Sequence, residues 1–305
     1  NIPALRWRIL RRALLTGRGS DSGNVCEDSS LDKVSRRGIN GFGLIPCHFV
    51  CEVGKKSDSL VKRDGCYCYT LPLPDAPKLF LHQRLETQPA LHLRDSEFCN
   101  QNNIDNTGLI CQWPSEEVLA YYSLSHPENF RGKRVIELGS GYGLAGLVIA
   151  MVAEASEVVI SDGNRQVVDY VQSSIEANSA SFGDTKVISM VLHWGGTLES
   201  ELLSGAFDVI VASDCTFWEE SHAALAGTIG RLLKRDASSE AMVFSPKRGD
   251  KLDKFLVEAE EAGLKSSVTE VYDVGIRRKH ESFCNGGDRI SWPNYEPDHC
   301  YPLLI

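Results

Sequence analysis

A glycine-rich stretch followed by an isolated acid is the part of this sequence best suited to chemistry. Residues 137–146 read Glu-Leu-Gly-Ser-Gly-Tyr-Gly-Leu-Ala-Gly, and Asp162 closes an apolar run further along the chain. Glycines allow a tight turn and let a ligand approach the backbone closely. A carboxylate at the tip of the next strand can accept both hydroxyls of a ribose. The spacing therefore predicts a nucleoside site, with these candidate residues: Glu137, Gly139, Ser140, Gly141, Gly143 and Asp162.

Two cofactors fit this pattern, and the residues favour one of them. The dinucleotide fingerprint G-x-G-x-x-G needs glycine at the position of Leu144, and no Lys-Ser/Thr pair follows to make a phosphate loop. A pyrophosphate binds at a helix N-terminus, whereas the positive methionine end of S-adenosylmethionine is attracted to an acid such as Glu137. We therefore expect S-adenosylmethionine, with NAD as the alternative and a purely structural turn as the third reading.

The elements that position these residues alternate regularly between strand and helix from Trp113 onward. Apolar, β-branched strands alternating with helices indicate right-handed crossovers and a parallel sheet covered on both faces, a doubly wound α/β fold. Residues 1–105 are expected to hold a basic helix over 1–20 and then short strands or loops, and residues 106–305 the regular domain. The predicted strands are 133–138, 157–161, 186–192, 207–212 and 241–244, and the predicted helices are 144–153, 165–180, 219–234 and 251–262.

Further candidates lie at the carboxyl ends of the strands, where ligands of such sheets bind. Trp194 ends the third strand, where its ring could pack on an adenine face or in the core. The fourth strand ends in the sequence Ser213-Asp214-Cys215-Thr216-Phe217. It lacks the prolines of the Asn/Asp-Pro-Pro-aromatic motif used on nucleic-acid bases, so a protein or small-molecule substrate is favoured.

Composition and charge exclude several classes of protein. The chain has 305 residues and a net charge of -9, which argues against broad nucleic-acid binding, and no apolar run approaches 18 residues. Residues 1–63 carry net charge +6 and residues 64–305 carry -15, a distribution that indicates an acidic partner or a solvated face. Ten scattered cysteines without zinc-finger spacing predict no metal and a reducing compartment, which we take as cytoplasm and nucleus. The Arg-rich N-terminus also fits a transit peptide.

Several longer segments carry a family resemblance. Residues 105–122, Asp-Asn-Thr-Gly-Leu-Ile-Cys-Gln-Trp-Pro-Ser-Glu-Glu-Val-Leu-Ala-Tyr-Tyr, closely resemble the calmodulin-lysine N-methyltransferases, as do residues 161–164, 214–217 and 242–249. Residues 5–15 and 43–46 resemble the plant-type members. The resemblance implies a seven-stranded class I methyltransferase sheet with an irregular N-terminal extension. It also implies S-adenosylmethionine as cofactor, and a lysine of calmodulin, an acidic protein, as the site of trimethylation. We also expect a monomer that binds neither nucleic acid nor membrane. The cofactor contacts that the resemblance implies are Trp113, Gly139, Ser140, Gly141, Asp162, Trp194 and Ser213.

The residues also suggest roles in methyl transfer to a lysine. We expect Asp214 to orient the target ammonium, unless it caps a helix, and Phe217 and Trp218 to flank the aliphatic stem of the lysine. Lys247 and Arg248 would attract the acidic substrate. The alternatives are methylation of another protein or a small molecule, and a non-catalytic binding module with the same fold.

Overall fold

The protein is described by a computed structural model that covers residues 41–53, 64–85, 107–109, 111–196, 203–287 and 291–305. The basic helix predicted over residues 1–20 and the predicted domain boundary at 105/106 lie outside the described residues. Within the described ranges the predicted alternation of strands and helices is confirmed.

A six-stranded sheet forms the centre of the fold, in the order β6-β5-β4-β7-β8-β9. The first five strands in this order are parallel neighbours. Helices cover both faces of the sheet, so the four inner strands of these five are mostly apolar and buried, whereas β6 at the edge is only partly buried. The strands are β4 (Arg134–Leu138), β5 (Glu157–Asp162), β6 (Lys186–Val191), β7 (Val209–Ser213), β8 (Glu240–Pro246) and β9 (Pro302–Leu304).

The helices follow the strands as crossovers, and side chains fix where two of them begin. Asn164 caps the helix after β5 by accepting the amide of Gln166 at 2.9 Å, and Asp273 caps a later helix by accepting that of Ile276 at 2.9 Å. No helix in the described ranges is long and apolar enough to cross a membrane. The helices are α1 (Pro114–Ser125), α2 (Leu144–Val152), α3 (Arg165–Asn178), α4 (His222–Leu232), α5 (Lys251–Glu261), α6 (Val274–Cys284) and α7 (Pro297–Cys300).

The edge of the sheet was not foreseen. Strand β9 pairs antiparallel with β8, joining Phe244 to Leu304. Thr269 then forms an isolated bridge to Leu304 on the outer side of β9. The described residues therefore give six strands and one bridging residue at the place of a seventh strand, rather than seven full strands. The predicted helix over 219–234 is also shorter, because a 3₁₀ turn (Glu219–Ser221) precedes α4.

A small antiparallel sheet precedes this domain and packs on it. It consists of β1 (Cys47–Val53), β2 (Asp64–Tyr69) and β3 (Leu79–Arg84), in that order. The free edge of β3 is closed by α3: Phe80 donates its amide to Asn178 at 2.9 Å and its carbonyl accepts from the same side chain at 2.6 Å. Residues 21–105, predicted as short strands or loops, thus contain a sheet whose edge is covered by the regular domain.

Candidate active site

Strand β4 ends in the glycine turn, residues 139–143, which hydrogen bonds hold against β5. The amide of Ser140 donates to the carbonyl of Ser161 at 2.9 Å, and the amide of Gly143 donates to the carbonyl of Ser140 at 2.9 Å. The side chain of Ser140 is buried, so its predicted cofactor contact would come through the backbone. Gly139, Gly141 and Gly143 have φ of 61°, 53° and 77°, a left-handed conformation that disfavours side chains.

Asp162, the predicted ribose acceptor, lies at the tip of β5 directly beside the glycine turn. Its Oδ2 accepts the amide of Gly141 at 3.1 Å, and its Oδ1 accepts the amide of Asn164 at 2.8 Å. These contacts orient the carboxylate, whose oxygens can each accept more than one hydrogen bond. The predicted position of Asp162 at the tip of β5 is therefore confirmed, and its contact with a ribose stays a prediction.

Two buried glutamates lie beneath the turn, at the start of α2. Glu116 Oε1 accepts the amide of Leu144 at 2.6 Å, and Glu137 Oε2 accepts the amide of Gly146 at 2.9 Å. Glu116 is 3% exposed and Glu137 is 0% exposed. The predicted direct contact between Glu137 and the cofactor is therefore wrong: no surface of this side chain is accessible, and its second oxygen has no hydrogen-bond partner among the described residues.

Burial dominates the electrostatics of this pair. The pKa of Glu116 is raised to about 8, mainly by desolvation; the hydrogen bond from Leu144 opposes this rise and the charge of Asp162 adds to it. Desolvation also raises the pKa of Glu137 well above its usual range, and the charge of Glu116 adds to the effect. Neither glutamate has a cationic partner among the described side chains. Both carboxyls therefore favour the protonated form at neutral pH in the cofactor-free chain. A positive charge bound above them would favour their ionisation, whereas a bound anion would oppose it.

This arrangement distinguishes between the two cofactors that the sequence left open. A dinucleotide places its pyrophosphate on the free amides at the start of the helix after the glycine turn. Here the amides of Leu144 and Gly146 already donate to Glu116 and Glu137, and an incoming pyrophosphate would meet those acids. A cationic nucleoside meets no such barrier. The residues present therefore fit S-adenosylmethionine, whose sulfonium and ammonium groups are positive, and not NAD.

Trp194 follows β6 and Cys215 follows β7, and both side chains lie next to Gly139. A methyl group on Gly139 would lie 2.8 Å from the Cys215 sulfur and 2.9 Å from the Trp194 ring, so glycine is the residue that fits there. Burial, followed by the charge of Asp214, raises the pKa of the Cys215 thiol well above its usual range. The thiol is therefore protonated at neutral pH. It donates to the carbonyl of Leu138 at 3.4 Å.

Trp113 immediately precedes α1, where Pro114 occupies the first helical position. The indole Nε1 donates to the carbonyl of Thr107 at 3.3 Å, which fixes the ring beside the short 3₁₀ helix (Thr107–Leu109). That helix reaches the glycine turn, since a methyl group on Gly108 would lie 3.2 Å from the Cα of Gly141. Trp113 is thereby held on the segment that borders the predicted site.

The end of β7 differs from the prediction. Both carboxylate oxygens of Asp214 bond to the guanidinium of Arg248, one of them at 2.9 Å. Their side chains are 6% and 12% exposed. Arg248 is therefore not an exposed contact for an acidic substrate, and Asp214 does not present a free carboxylate to a target ammonium. Asp214 also caps no helix, because the next helical residue is Glu219. Ser213 is buried as the last residue of β7.

Phe217 is half-buried next to this ion pair and contacts two cations of its own chain. The Arg248 guanidinium lies 5.2 Å from the ring centroid, and Lys251 Nζ lies 4.3 Å from it and donates to the Phe217 carbonyl at 2.8 Å. Trp218 packs edge-on against the ring at 4.5 Å. Lys247 is exposed just after β8 and is available to a partner.

The sequence did not predict two side-chain contacts between residues far apart in the chain, those of Glu116 and of Arg248. Glu116 is 28 residues from Leu144 and Arg248 is 34 residues from Asp214. For Glu116 the available signal was a second acid in a helix that begins with Trp-Pro. For Arg248 there was no signal besides its place after a strand.

A doubly wound sheet with this turn, an acid at the tip of β5 and buried acids beneath the turn defines a class I S-adenosylmethionine-dependent methyltransferase. Comparison with known proteins gives the same answer. Residues 95–262 match the family described as lysine methyltransferase. The calmodulin-lysine N-methyltransferase of Arabidopsis thaliana is 55% identical over 302 residues, which cover 99% of this chain and 95% of that protein. The chain belongs to the lysine methyltransferase family, and its predicted cofactor, S-adenosylmethionine, is confirmed.

Other matches are more partial. The protein N-lysine methyltransferase METTL21A of Mus musculus is 31% identical over 125 residues, which cover 41% of this chain and 56% of that protein. A solved structure of a SAM dependent methyltransferase from Aquifex aeolicus aligns with a TM-score of 0.40 at 14% identity, over 61% of this chain and 94% of that one.

Proposed function

We propose that this chain transfers methyl groups from S-adenosylmethionine to one lysine of calmodulin. The observation that carries the proposal is the extent of the similarity. Identity to the Arabidopsis calmodulin-lysine N-methyltransferase runs over 99% of the chain, well beyond residues 95–262, whereas the match to METTL21A covers 41%. Segments outside the shared domain are where substrate-specific contacts would differ between relatives.

Each of the residues around the glycine turn contacts or favours a different part of the cofactor. Asp162 accepts the ribose hydroxyls, and the turn itself offers backbone with no side chain in the way. Trp194 packs on the adenine, while Glu116 and Glu137 favour the cationic end from below. S-adenosylmethionine supplies an electrophilic methyl group on a positively charged sulfur.

The target lysine must lose its proton before it can react. At neutral pH this costs about 4–5 kcal/mol for an ordinary lysine. Removal from water and the nearby positive sulfur both lower the pKa of that amine, so no dedicated base is required. Phe217 and Trp218 line the approach and exclude water, and Lys247 attracts the acidic surface of calmodulin. Asp214 acts through Arg248 rather than on the amine.

The test is incubation of the full chain with purified calmodulin and methyl-labelled S-adenosylmethionine, followed by mass spectrometry of the peptides. We expect mass increments of whole methyl groups on one lysine, and no increments with Asp162→Ala. If a plant extract takes up label in other proteins while purified calmodulin takes up none, the substrate assignment is wrong. If the chain does not bind S-adenosylmethionine at all, it is a binding module rather than an enzyme.

We further propose that the protein acts as a monomer in the cytoplasm and nucleus. The scattered cysteines support a reducing compartment. Light scattering of the purified chain and imaging of a fluorescently tagged full chain in plant cells test the two parts separately. A dimer in solution, or fluorescence in an organelle, would contradict them.

A further inference from the structure

We propose that Arg248 is a positioning residue for methyl transfer: its ion pair with Asp214 fixes the tip turn, residues 214–217, at the carboxyl end of β7. The inference rests on the proposed function for its substrate, and on geometry for the rest. Arg248 would not touch the cofactor or the lysine. It would act by holding the turn that carries Phe217.

The backbone is in an unfavourable, left-handed conformation at both residues of the ion pair. Asp214 has φ 56° and Arg248 has φ 47°, and both are left-handed residues that carry side chains. Such conformations persist where the surrounding contacts determine them, and they gather at functional sites. The two residues lie just beyond adjacent strands, since Ser213 of β7 is paired with Phe244 of β8. The ion pair thus ties together two strained strand ends.

The backbone of Arg248 is itself held in place by hydrogen bonds to Asp298. Its amide donates to the carbonyl of Asp298 at 2.8 Å, and the amide of Gly249 donates to the Asp298 carboxylate at 2.8 Å. Asp298 belongs to α7, which precedes the edge strand β9. The guanidinium therefore projects from a fixed backbone, and its planar fork matches the carboxylate of Asp214 in two bonds.

The pairing of β7 with β8 in the sheet does not depend on this ion pair. Strands β7 and β8 are joined by their ladder from Val209 to Ser213, and the amide of Asp214 still reaches the carbonyl of Phe244 at 2.9 Å. Beyond that point, the tip turn is held by the Asp214–Arg248 pair and by the hydrogen bond from Lys251 to the Phe217 carbonyl. Thr216 also bonds to Ser245 and His222, and the Cys215 thiol bonds to the Leu138 carbonyl. Arg248 supplies the hydrogen bonds to both carboxylate oxygens of Asp214, so loss of its guanidinium should loosen the Asp214 end of the turn and spare the fold.

The variant that tests this is Arg248→Lys, which keeps the charge and loses the two-bond geometry. Arg134→Lys is the matched control. Arg134 bonds Glu157 through Nε at 2.7 Å and Nη2 at 2.6 Å, at the opposite, amino ends of β4 and β5. A double variant, Asp214→Met with Arg248→Met, removes both charges together and avoids leaving a buried charge unpaired.

Two readouts are needed. Hydrogen exchange of a peptide covering residues 213–218 reports on the turn without any substrate. Methylation kinetics with calmodulin, together with calorimetric binding of S-adenosylhomocysteine, report on the reaction. For Arg248→Lys we expect at least tenfold faster exchange in that peptide and at least a tenfold lower kcat. The KM for calmodulin and the cofactor Kd should stay within threefold, and Arg134→Lys should show none of these changes. The Met/Met variant should remain folded and show the same fall in kcat.

Unchanged exchange in residues 213–218 would overturn the proposal, because Arg248 would then not hold the turn. Faster exchange with an unchanged kcat would also overturn it, since the turn would not need to be held. A wild-type chain that does not methylate calmodulin contradicts the proposed function instead. In that case the exchange measurement still decides whether Arg248 fixes the turn, and kcat is measured on the protein labelled in the extract.

Discussion

Glu116 and Glu137 cap the same helix from two different elements: Glu116 accepts the amide of Leu144 at 2.6 Å, and Glu137 accepts that of Gly146 at 2.9 Å. The pair occupies the amides that a dinucleotide-binding protein would offer to a pyrophosphate. A fold shared by many nucleotide-binding proteins is thereby restricted to a cationic nucleoside.

The raised pKa of Glu116, about 8, predicts a pH-dependent stability for the cofactor-free chain. The unfolded glutamate ionises near pH 4.3, so between that value and about 8 the native state binds the extra proton. Stability from this group is therefore complete below pH 4.3 and is lost as the pH rises towards 8. Between pH 6 and pH 8 we expect a loss of roughly 1–3 kcal/mol.

Urea denaturation of the wild type and of Glu116→Gln at both pH values measures this loss, because glutamine keeps the acceptor and cannot titrate. The wild type should lose stability relative to Glu116→Gln on going from pH 6 to pH 8. Equal losses in the two proteins would show that Glu116 is ionised in the native state at both pH values.

Gly139→Ala separates steric exclusion from backbone strain. Gly139 and Gly132 both have positive φ, 61° and 70°, so alanine costs about 1 kcal/mol of stability at either position. At Gly139 the added methyl group meets Cys215 and Trp194 within 3 Å, whereas at Gly132 nothing lies within 4 Å. We expect Gly139→Ala alone to weaken S-adenosylhomocysteine binding, by more than tenfold in calorimetry. Equal affinities in the two variants would place the cofactor elsewhere.

Asp162→Ala should lower cofactor affinity by more than a hundredfold. The substitution removes the predicted ribose contacts and also the acceptor of the Gly141 amide at 3.1 Å. Asp169→Ala is the control, because Asp169 lies in α3 on the exposed side and pairs with Arg165 on the surface. Equilibrium dialysis with labelled S-adenosylmethionine measures both. A Kd for Asp162→Ala close to that of the wild type would rule out the ribose assignment.

Lys247→Glu should raise the KM for calmodulin severalfold and leave cofactor affinity unchanged. Lys247 is exposed after β8, and a surface charge acts on an acidic partner mainly through long-range attraction. The effect should shrink in 0.5 M salt because the attraction is screened. Arg131→Glu should leave KM unaltered, because Arg131 precedes the amino end of β4, on the side of the sheet opposite to the carboxyl ends of the strands. A KM for Lys247→Glu that equals that of the wild type at low salt would remove Lys247 from the interface.

The sequence predicts well what depends on local pattern. Apolar runs such as Val158–Ile160 and the glycines after β4 identify the strands, their parallel arrangement and the turn. Strand β9 escapes detection because three residues carry no periodicity. Strands β1 to β3 were predicted only as short strands or loops, because β2 lacks aliphatic residues and the apolar runs of β1 and β3 are short. A short strand of this kind is defined by its partner and not by its own composition.

Contacts between side chains are also harder to predict, because they too depend on a residue elsewhere in the chain. Asp214 was assigned to the substrate because it follows a strand and Arg248 because its positive charge suits an acidic partner, yet they bind each other across 34 residues. Glu137 was expected to touch the cofactor, yet the start of α2 covers it. The pattern of a single chain shows which strand end a residue occupies, but not whether another element has already bound it.

The most direct measurement is a calorimetric titration of the purified chain with S-adenosylmethionine and, in parallel, with NAD. Because Glu116 and Glu137 occupy the first amides of α2, we predict one site per chain with micromolar affinity for S-adenosylmethionine and no heat with NAD. Binding of NAD with equal or greater affinity, or the absence of S-adenosylmethionine binding by a folded chain, would contradict the account.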